Sequence, residues 1–189
     1  MPGPDVASFT VTRTPLAGLA VVQRKRLEDA RGFFSRLFCA DELSAVGFTL
    51  PIAQINQTLT RKRGAVRGLH FQRPPHAEDK FVSCLRGAIF DVAVDLRRGS
   101  PTFLKWHAEM LSAENGRSLF IPQGFAHGFQ ALADDCELIY LHSKPYAAQA
   151  EGALNVNDKA LNIAWPLEFT DISQRDSVHP RITEEFNGI

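Results

Sequence analysis

The sequence predicts an all-β protein, an antiparallel sandwich or barrel, on three observations. The stretch "AIFDVAVDLR" (residues 88 to 97) alternates cleanly, with Phe90, Val92, Val94 and Leu96 on one face and Asp91 and Asp95 on the other, as a half-buried strand does. Turn-forming clusters recur at short intervals between further β-rich runs. Helix signals are scarce, and many short strands at such spacing build sandwiches or barrels.

Taken in chain order, a helix is expected near "ADELSAVG" (residues 40 to 47) and a first strand in "IAQINQTLT", closed by "RKRG". "AVRGLHF" is the next strand, and its Gly68 is placed to mark a bulge, a common use of a strand glycine. "RPPH" turns the chain into "KFVSCL", where Lys80, Val82 and Cys84 share a face. After "AIFDVAVDLR" and the turn "RRGSP" come "LKWHAEML" and "RSLFI", joined through "AENG", in which Asn115-Gly116 is the best tight-hairpin signal. "PQG" precedes the last strand, "CELIYLH", and "DISQRDSVHP" suits a short helix or turns. With no repeat, low-complexity tract or linker, the 189 residues read as one domain spanning 1–189.

Lysine plus arginine equals aspartate plus glutamate, 21 against 21. That removes the broad electrostatic case for nucleic acid or an anionic membrane, leaving room for a local basic pocket. No stretch approaches a transmembrane span, and "PLAGLAVV" runs straight into "QRKRLED", so no signal peptide is expected. Cys39, Cys84 and Cys136 are an odd number without C-x-x-C spacing and read as buried thiols in a reducing cytoplasm. Asp91, Asp95, Glu109, Asp134 and Asp135 read as outward-facing charge. Phe33, Phe34, Phe90, Phe120, Phe125 and Phe129 read as core or dimer contact.

Candidate chemistry sits on the β runs. His70 and Gln72 share one face while Leu69 and Phe71 take the other, and Arg67 joins His70 only across a bulge at Gly68. Leu138, Tyr140 and His142 share a face in their own strand. A histidine, a tyrosine, a lysine and an arginine around one cavity suit proton abstraction beside a carbonyl and reprotonation from the opposite face. Each alone has an ordinary reading, a structural histidine or a packing tyrosine. Pro122, Gly124 and His127 form P-x-G-x-x-H, similar to the second half of the metal-binding cupin signature. The first half needs H-x-H and here is His70-Phe71-Gln72, so no bound metal is expected.

The ordered set "DARGFF", "QINQT", "RGLHFQ", "DKFV", "GAIFDVAVDLR", "IPQGFAHGF", "ELIYLHSKPY", "EGALNVND", "IAWP" and "SQRD" resembles the dTDP-4-dehydrorhamnose 3,5-epimerase family from about residue 29 to residue 180. The resemblance implies a cupin-type double-stranded β-helix, or jelly roll, with a few short helices, working as a homodimer without metal or cofactor. It implies a cytoplasmic isomerase acting on a nucleotide-diphospho-sugar, in rhamnose-type deoxysugar and polysaccharide biosynthesis. By the same resemblance His70 is the base, Asp176 its carboxylate partner, Tyr140 the opposing acid and Lys80 the cation at the C4 oxygen. Arg67 and His127 match residues near the sugar and its diphosphate. Arg31, Gln54, Asn56, Glu151 and Arg175 match further nucleotide-sugar contacts, some of them across the dimer, and Tyr146 packs against the ligand.

The chain departs from the family pattern at Arg36, where a glutamate is usual, at Ile55 within "QIN" for "QDN", at Val156 for a tryptophan and at Pro145 for an aromatic. Two of these positions lie on the family's nucleotide side, which leaves thymidine, cytidine and guanosine sugars open. A single-site epimerase or 3,4-ketoisomerase, a metal-dependent cupin and a non-catalytic sugar-nucleotide binder are the competing readings.

Overall fold

The computed structural model describes residues 7–189; the expected unit begins at residue 1, and residues 1–6 lie outside the described ones. The chain runs β1 (Phe9–Arg13), β2 (Ala20–Arg24), β3 (Arg26–Asp29), β4 (Gly32–Ser35), α1 (Ala40–Ser44), β5 (Gln54–Thr60), β6 (Ala65–Gln72) and β7 (Lys80–Arg86). It continues through β8 (Ala88–Asp95), β9 (Trp106–Ser112), β10 (Arg117–Ile121), β11 (Phe125–Ala131), β12 (Cys136–His142), β13 (Glu151–Ala153), β14 (Asp171–Ile172) and α2 (Gln174–Ser177).

The strands form a jelly-roll sandwich. One sheet has the order β1-β2-β10-β7-β12-β5, the other β13-β6-β11-β8-β9 with β14 added parallel to β6, and β3 and β4 make a separate hairpin. Each sheet packs apolar residues on both sides. Between them pack Leu16, Val82, Ile89, Leu119, Phe129 and Leu138. Outside the second sheet, Leu69, Phe71, Val92 and Val94 pack under Leu154, Val156, Leu161 and Trp165 of the C-terminal segment. Outside the first, Val22, Phe81, Phe120 and Leu141 are covered by Leu43 and Phe48, from α1 and the turn after it. α1 stops short of the expected residue 47, where Gly47 takes a φ of +104° that ends the helix.

Two expectations are corrected. The turn at Asn115-Gly116 forms, and Asn115 Oδ1 accepts from the Ser112 and Arg117 N–H groups at 3.1 and 2.8 Å. It does not close a hairpin, because β9 pairs with β8 while β10 pairs with β2 and β7, so the turn carries the chain from one sheet to the other. The strand β8 is not half-buried: Asp91 and Asp95 are both fully buried, because its second face looks into the sandwich instead of into water. Asp95 is held there by a two-pronged pair with Arg97 and by hydroxyl bonds from Ser100 and Thr102 at 2.6 Å each. Phe33 and Phe34 lie outside the core of this chain, 59% and 62% exposed on the β3–β4 hairpin, whereas Phe120, Phe125 and Phe129 are buried.

The sequence pattern also left β1–β4 and β11 unassigned. "FAHGFQA" has no β-branched residue and only two aromatics among alanine and glycine, and the segment extends because it is clamped between β6 and β8. All three cysteines are free; Cys84 and Cys136 are buried and Cys39 is partly so. Among the described residues no helix is long and apolar enough to cross a membrane.

Candidate active site

One end of the sandwich opens into a cavity of about 750 Å³ walled by both sheets. The expected bulge is what shapes its floor. Across β6 and β11, His70 faces His127 but Arg67 faces Phe129, so β6 carries one extra residue between them. Gly68 takes it up with a φ of +122°, and a Cβ there would lie 2.5 Å from the Gly128 Cα. The parity change sends both Arg67 and His70 to the cavity while Leu69 stays on the outer face.

Pairing of β14 with β6 brings α2 against the same strand, where the Ser173 hydroxyl caps it by accepting from the Asp176 N–H at 3.0 Å. Asp176 Oδ1 then lies 2.9 Å from His70 Nε2, and Oδ2 accepts from the Gly68 N–H at 3.1 Å. Burial alone would raise this carboxyl. The His70 bond and charge, with the Gly68 N–H and His179, outweigh it and hold Asp176 down at about 2. An ionised carboxylate on Nε2 fixes the imidazole tautomer and leaves the lone pair on Nδ1.

On the facing wall, Lys80 Nζ lies 3.2 Å from Glu78 Oε1 and donates to the His70 carbonyl at 3.4 Å. Glu78 Oε2 also meets His142 Nδ1 at 3.2 Å and the Gln72 amide at 3.0 Å. Burial pushes Glu78 up, but the His142 bond and the Lys80 charge leave it below the ordinary carboxylate range. Tyr140, from β12, is buried, and desolvation pushes its phenol well above the ordinary value, so it is protonated at neutral pH. Its ring lies 6.0 Å from those of His127 and His142. His127 Nε2 is 2.6 Å from Asp91 Oδ1, while Asp91 Oδ2 is buried with no hydrogen-bond partner.

At the mouth, Glu151 binds the Arg175 guanidinium and accepts from the Tyr146 hydroxyl at 2.9 Å. Arg67 donates from Nε to Thr60 Oγ1 at 3.1 Å, leaving much of its guanidinium exposed. Of the residues expected from sequence, His70, Lys80, Tyr140, Asp176, Arg67 and His127 line this one cavity, as do Asn56, Tyr146, Glu151 and Arg175. Gln54 stands behind the wall, bonded to Asn56 and to the Tyr146 N–H at 3.0 Å each. Arg31 is not brought to it: it sits in the β3–β4 turn, 90% exposed and paired with Asp29.

Three residues went unassigned in the sequence. His142 carried a visible signal, sharing the face of Tyr140. Glu78 and His179 lie outside any strand period, and only the fold turns them inward.

The family model described as dTDP-4-dehydrorhamnose 3,5-epimerase matches residues 13–184. The chain belongs to this family of epimerases. It is 39% identical over 185 residues to the dTDP-4-dehydrorhamnose 3,5-epimerase of Sinorhizobium fredii, covering 97% of this chain and 95% of that one. A crystal structure of the dTDP-4-dehydrorhamnose 3,5-epimerase from Bacillus anthracis, with TDP and PPi bound, superposes with a TM-score of 0.89 at 36% identity, covering 92% and 99% of the two chains. ChmJ, a 3'-monoepimerase from Streptomyces bikiniensis solved with dTDP-quinovose, superposes with a TM-score of 0.83 at 34% identity over 89% and 85%.

Proposed function

We propose that this chain inverts C3 and C5 of a dTDP-linked 4-keto-6-deoxyhexose, one proton abstraction and one reprotonation at each carbon. The observation that carries the reading is that His70 and Tyr140 project from opposite sheets into a single cavity. The C4 ketone already acidifies its neighbouring C–H bonds, so the chemistry asks for a base, an acid on the other face and a donor at the oxygen. His70 Nδ1 takes the proton, and the electron pair moves onto the C4 oxygen as an enolate beside the Lys80 ammonium. Tyr140 delivers a proton to the opposite face, and the nearby Arg67 charge eases the phenolate left behind. His127 positions the sugar. Arg67 and Arg175 grip the diphosphate, since guanidinium matches phosphate oxygens in pairs. Gln54 and Asn56 hold the nucleotide side with Glu151, and Tyr146 packs on the ligand.

The chain acts as a cytoplasmic homodimer. In support, the β3–β4 hairpin exposes Phe33 and Phe34 and holds Arg31 away from its own cavity, an arrangement suited to reaching a partner's. A single inversion at C3 is the second reading, favoured by the likeness to the 3'-monoepimerase.

Incubation with dTDP-4-keto-6-deoxyglucose in deuterated water tests this. Deuterium at C3 and C5 is the expected result, label at C3 alone selects the second reading, and protium retained at both carbons rejects the proposal. The cytidine and guanosine analogues, run in parallel, fix the nucleotide.

A further inference from the structure

The turn after α2 delivers a side chain to which the epimerase reading gives no task. His179 is 12% exposed and aims Nε2 at Asp176 Oδ1, 3.1 Å away, the same oxygen that holds His70 Nε2 at 2.9 Å. The two rings meet edge to face, with centroids 5.5 Å apart and planes at 87°. Ligating atoms of His70, Asp176 and His179 all lie within 4.8 Å of one another, and no other such trio of His, Cys, Asp or Glu occurs among the described residues.

We propose that His70, Asp176 and His179 form a binding site for a divalent transition metal, Zn²⁺ above all, and that the bound ion silences the base. Two imidazoles and one carboxylate suit zinc and its neighbours and are poor ligands for Mg²⁺ or Ca²⁺. Zinc bonds of about 2.0–2.2 Å in a tetrahedron set ligand atoms roughly 3.3 Å apart. The two N···O contacts of 2.9 and 3.1 Å need to open by a few tenths of an ångström, and the two imidazole nitrogens, which lie within 4.8 Å of each other, need to settle at the same spacing. An ion at that point of convergence replaces two N–H···O bonds that already point at one oxygen. His70, with 32% of its side chain exposed to the cavity, gives the ion an entry path and room for a fourth ligand.

The proton balance explains the silencing. A neutral imidazole has one N–H proton, and each ring that gives Nε2 to the metal keeps that proton on Nδ1. His70 Nδ1 then has no lone pair with which to take a proton from the sugar. The site is separate from the P-x-G-x-x-H motif, whose His127 keeps Nε2 on Asp91. Binding of the ion stands independently of the epimerase reading, whereas its inhibitory effect rests on His70 being the base.

The test uses full-length protein stripped with chelator. Titration with ZnCl₂ in a calorimeter, without substrate, is expected to give one tight site per chain, and Co²⁺ the visible bands of a four-coordinate ion. Solvent exchange at the sugar should fall in proportion to zinc occupancy and return with EDTA. His179→Gln keeps an N–H donor for Asp176 but has no ring nitrogen to give a metal. It should weaken zinc binding by roughly 100-fold or more, since even an outer-shell partner costs about 10–100-fold. His179→Asn, compared at equal melting temperature, guards against a folding artefact. Because diphosphate also chelates zinc, His179→Gln at the same total zinc separates loss of free ion from occupancy of the trio. No stoichiometric binding, or unchanged affinity in both variants, overturns the site. Stoichiometric binding through His179 with undiminished exchange overturns the silencing and faults the base assignment instead of the site.

Discussion

The two faces of the second sheet are made of alternate residues on the same strands, yet only the inner one carries ionisable groups into a cavity. The outer face, with Val66, Leu69, Phe71, Val92, Val94 and Ala126, is apolar apart from Gln130, whose buried amide bonds Leu167, and it lies under the chain's own C-terminal segment. The inner face sets His70, Asp91 and His127 among Ile89, Ala93 and Phe129. In an ordinary sandwich the inner face is the dry one. Here the outer face anchors the strands, which frees inner positions to carry ionisable groups. These are paired, His70 with Asp176 and His127 with Asp91, and on the facing sheet Lys80 is paired with Glu78. A buried charge without such a partner costs several kcal/mol, so the pairing lets an active site occupy a core.

The largest expected effect breaks the inner face alone. His70→Asn and Tyr140→Phe each change little volume and touch none of the outer packing. Each should lower turnover by roughly 10²–10⁴-fold, the usual worth of a positioned acid or base. The urea midpoint of Tyr140→Phe should stay close to wild type, and that of His70→Asn should fall less than that of an outer-face cavity variant, because the Asn amide and His179 still offer donors to Asp176. If either variant loses stability in proportion to activity, the division of labour between the faces is wrong.

Breaking the outer face should do the reverse. Leu69 is fully buried beside His70 in sequence but on the other side of the sheet. Leu69→Ala leaves a cavity and should cost about 2–5 kcal/mol, read as a lower urea midpoint. Turnover of the folded fraction should stay within about tenfold of wild type, because His70 remains pinned by Asp176 from α2 rather than by Leu69. A collapse of turnover at unchanged stability would mean that outer packing, not the carboxylate, orients the base.

Much of this contrast was legible from residue order. The period of two put Leu69 opposite His70, and Gly68 marked the bulge that returns Arg67 to the same side. The same period misled at β8, where alternation told the faces apart but not which one met water; a jelly roll covers both. The Asn115-Gly116 turn was visible, while its destination depended on which sheet each neighbour had joined, a long-range choice. Asp176 was reached only through family resemblance. It lies 106 residues from its histidine, and no local spacing encodes a contact made by a parallel strand of two residues.

Acid should sharpen the comparison by the smallest margin. Asp95 lies at the end of β8, away from the proton chemistry. Burial alone would raise its carboxyl, but bonds from Arg97, Ser100 and Thr102 outweigh this and hold it at about 2. A carboxyl whose folded value lies below its unfolded value, about 3.9, binds protons more readily when unfolded. Its contribution is therefore complete above about pH 4 and disappears as pH falls through about 2. Urea unfolding of wild type and Asp95→Asn should show a stability gap, smaller than that of Leu69→Ala, that is full near neutrality and narrows below about pH 4. Asp176, held at about 2 by its own partners, titrates in the same window in both proteins and cancels in the difference. A gap that stays constant down to pH 2 would mean that Asp95 is retained for its shape and hydrogen bonds, not its charge, and that pairing on β8 is steric.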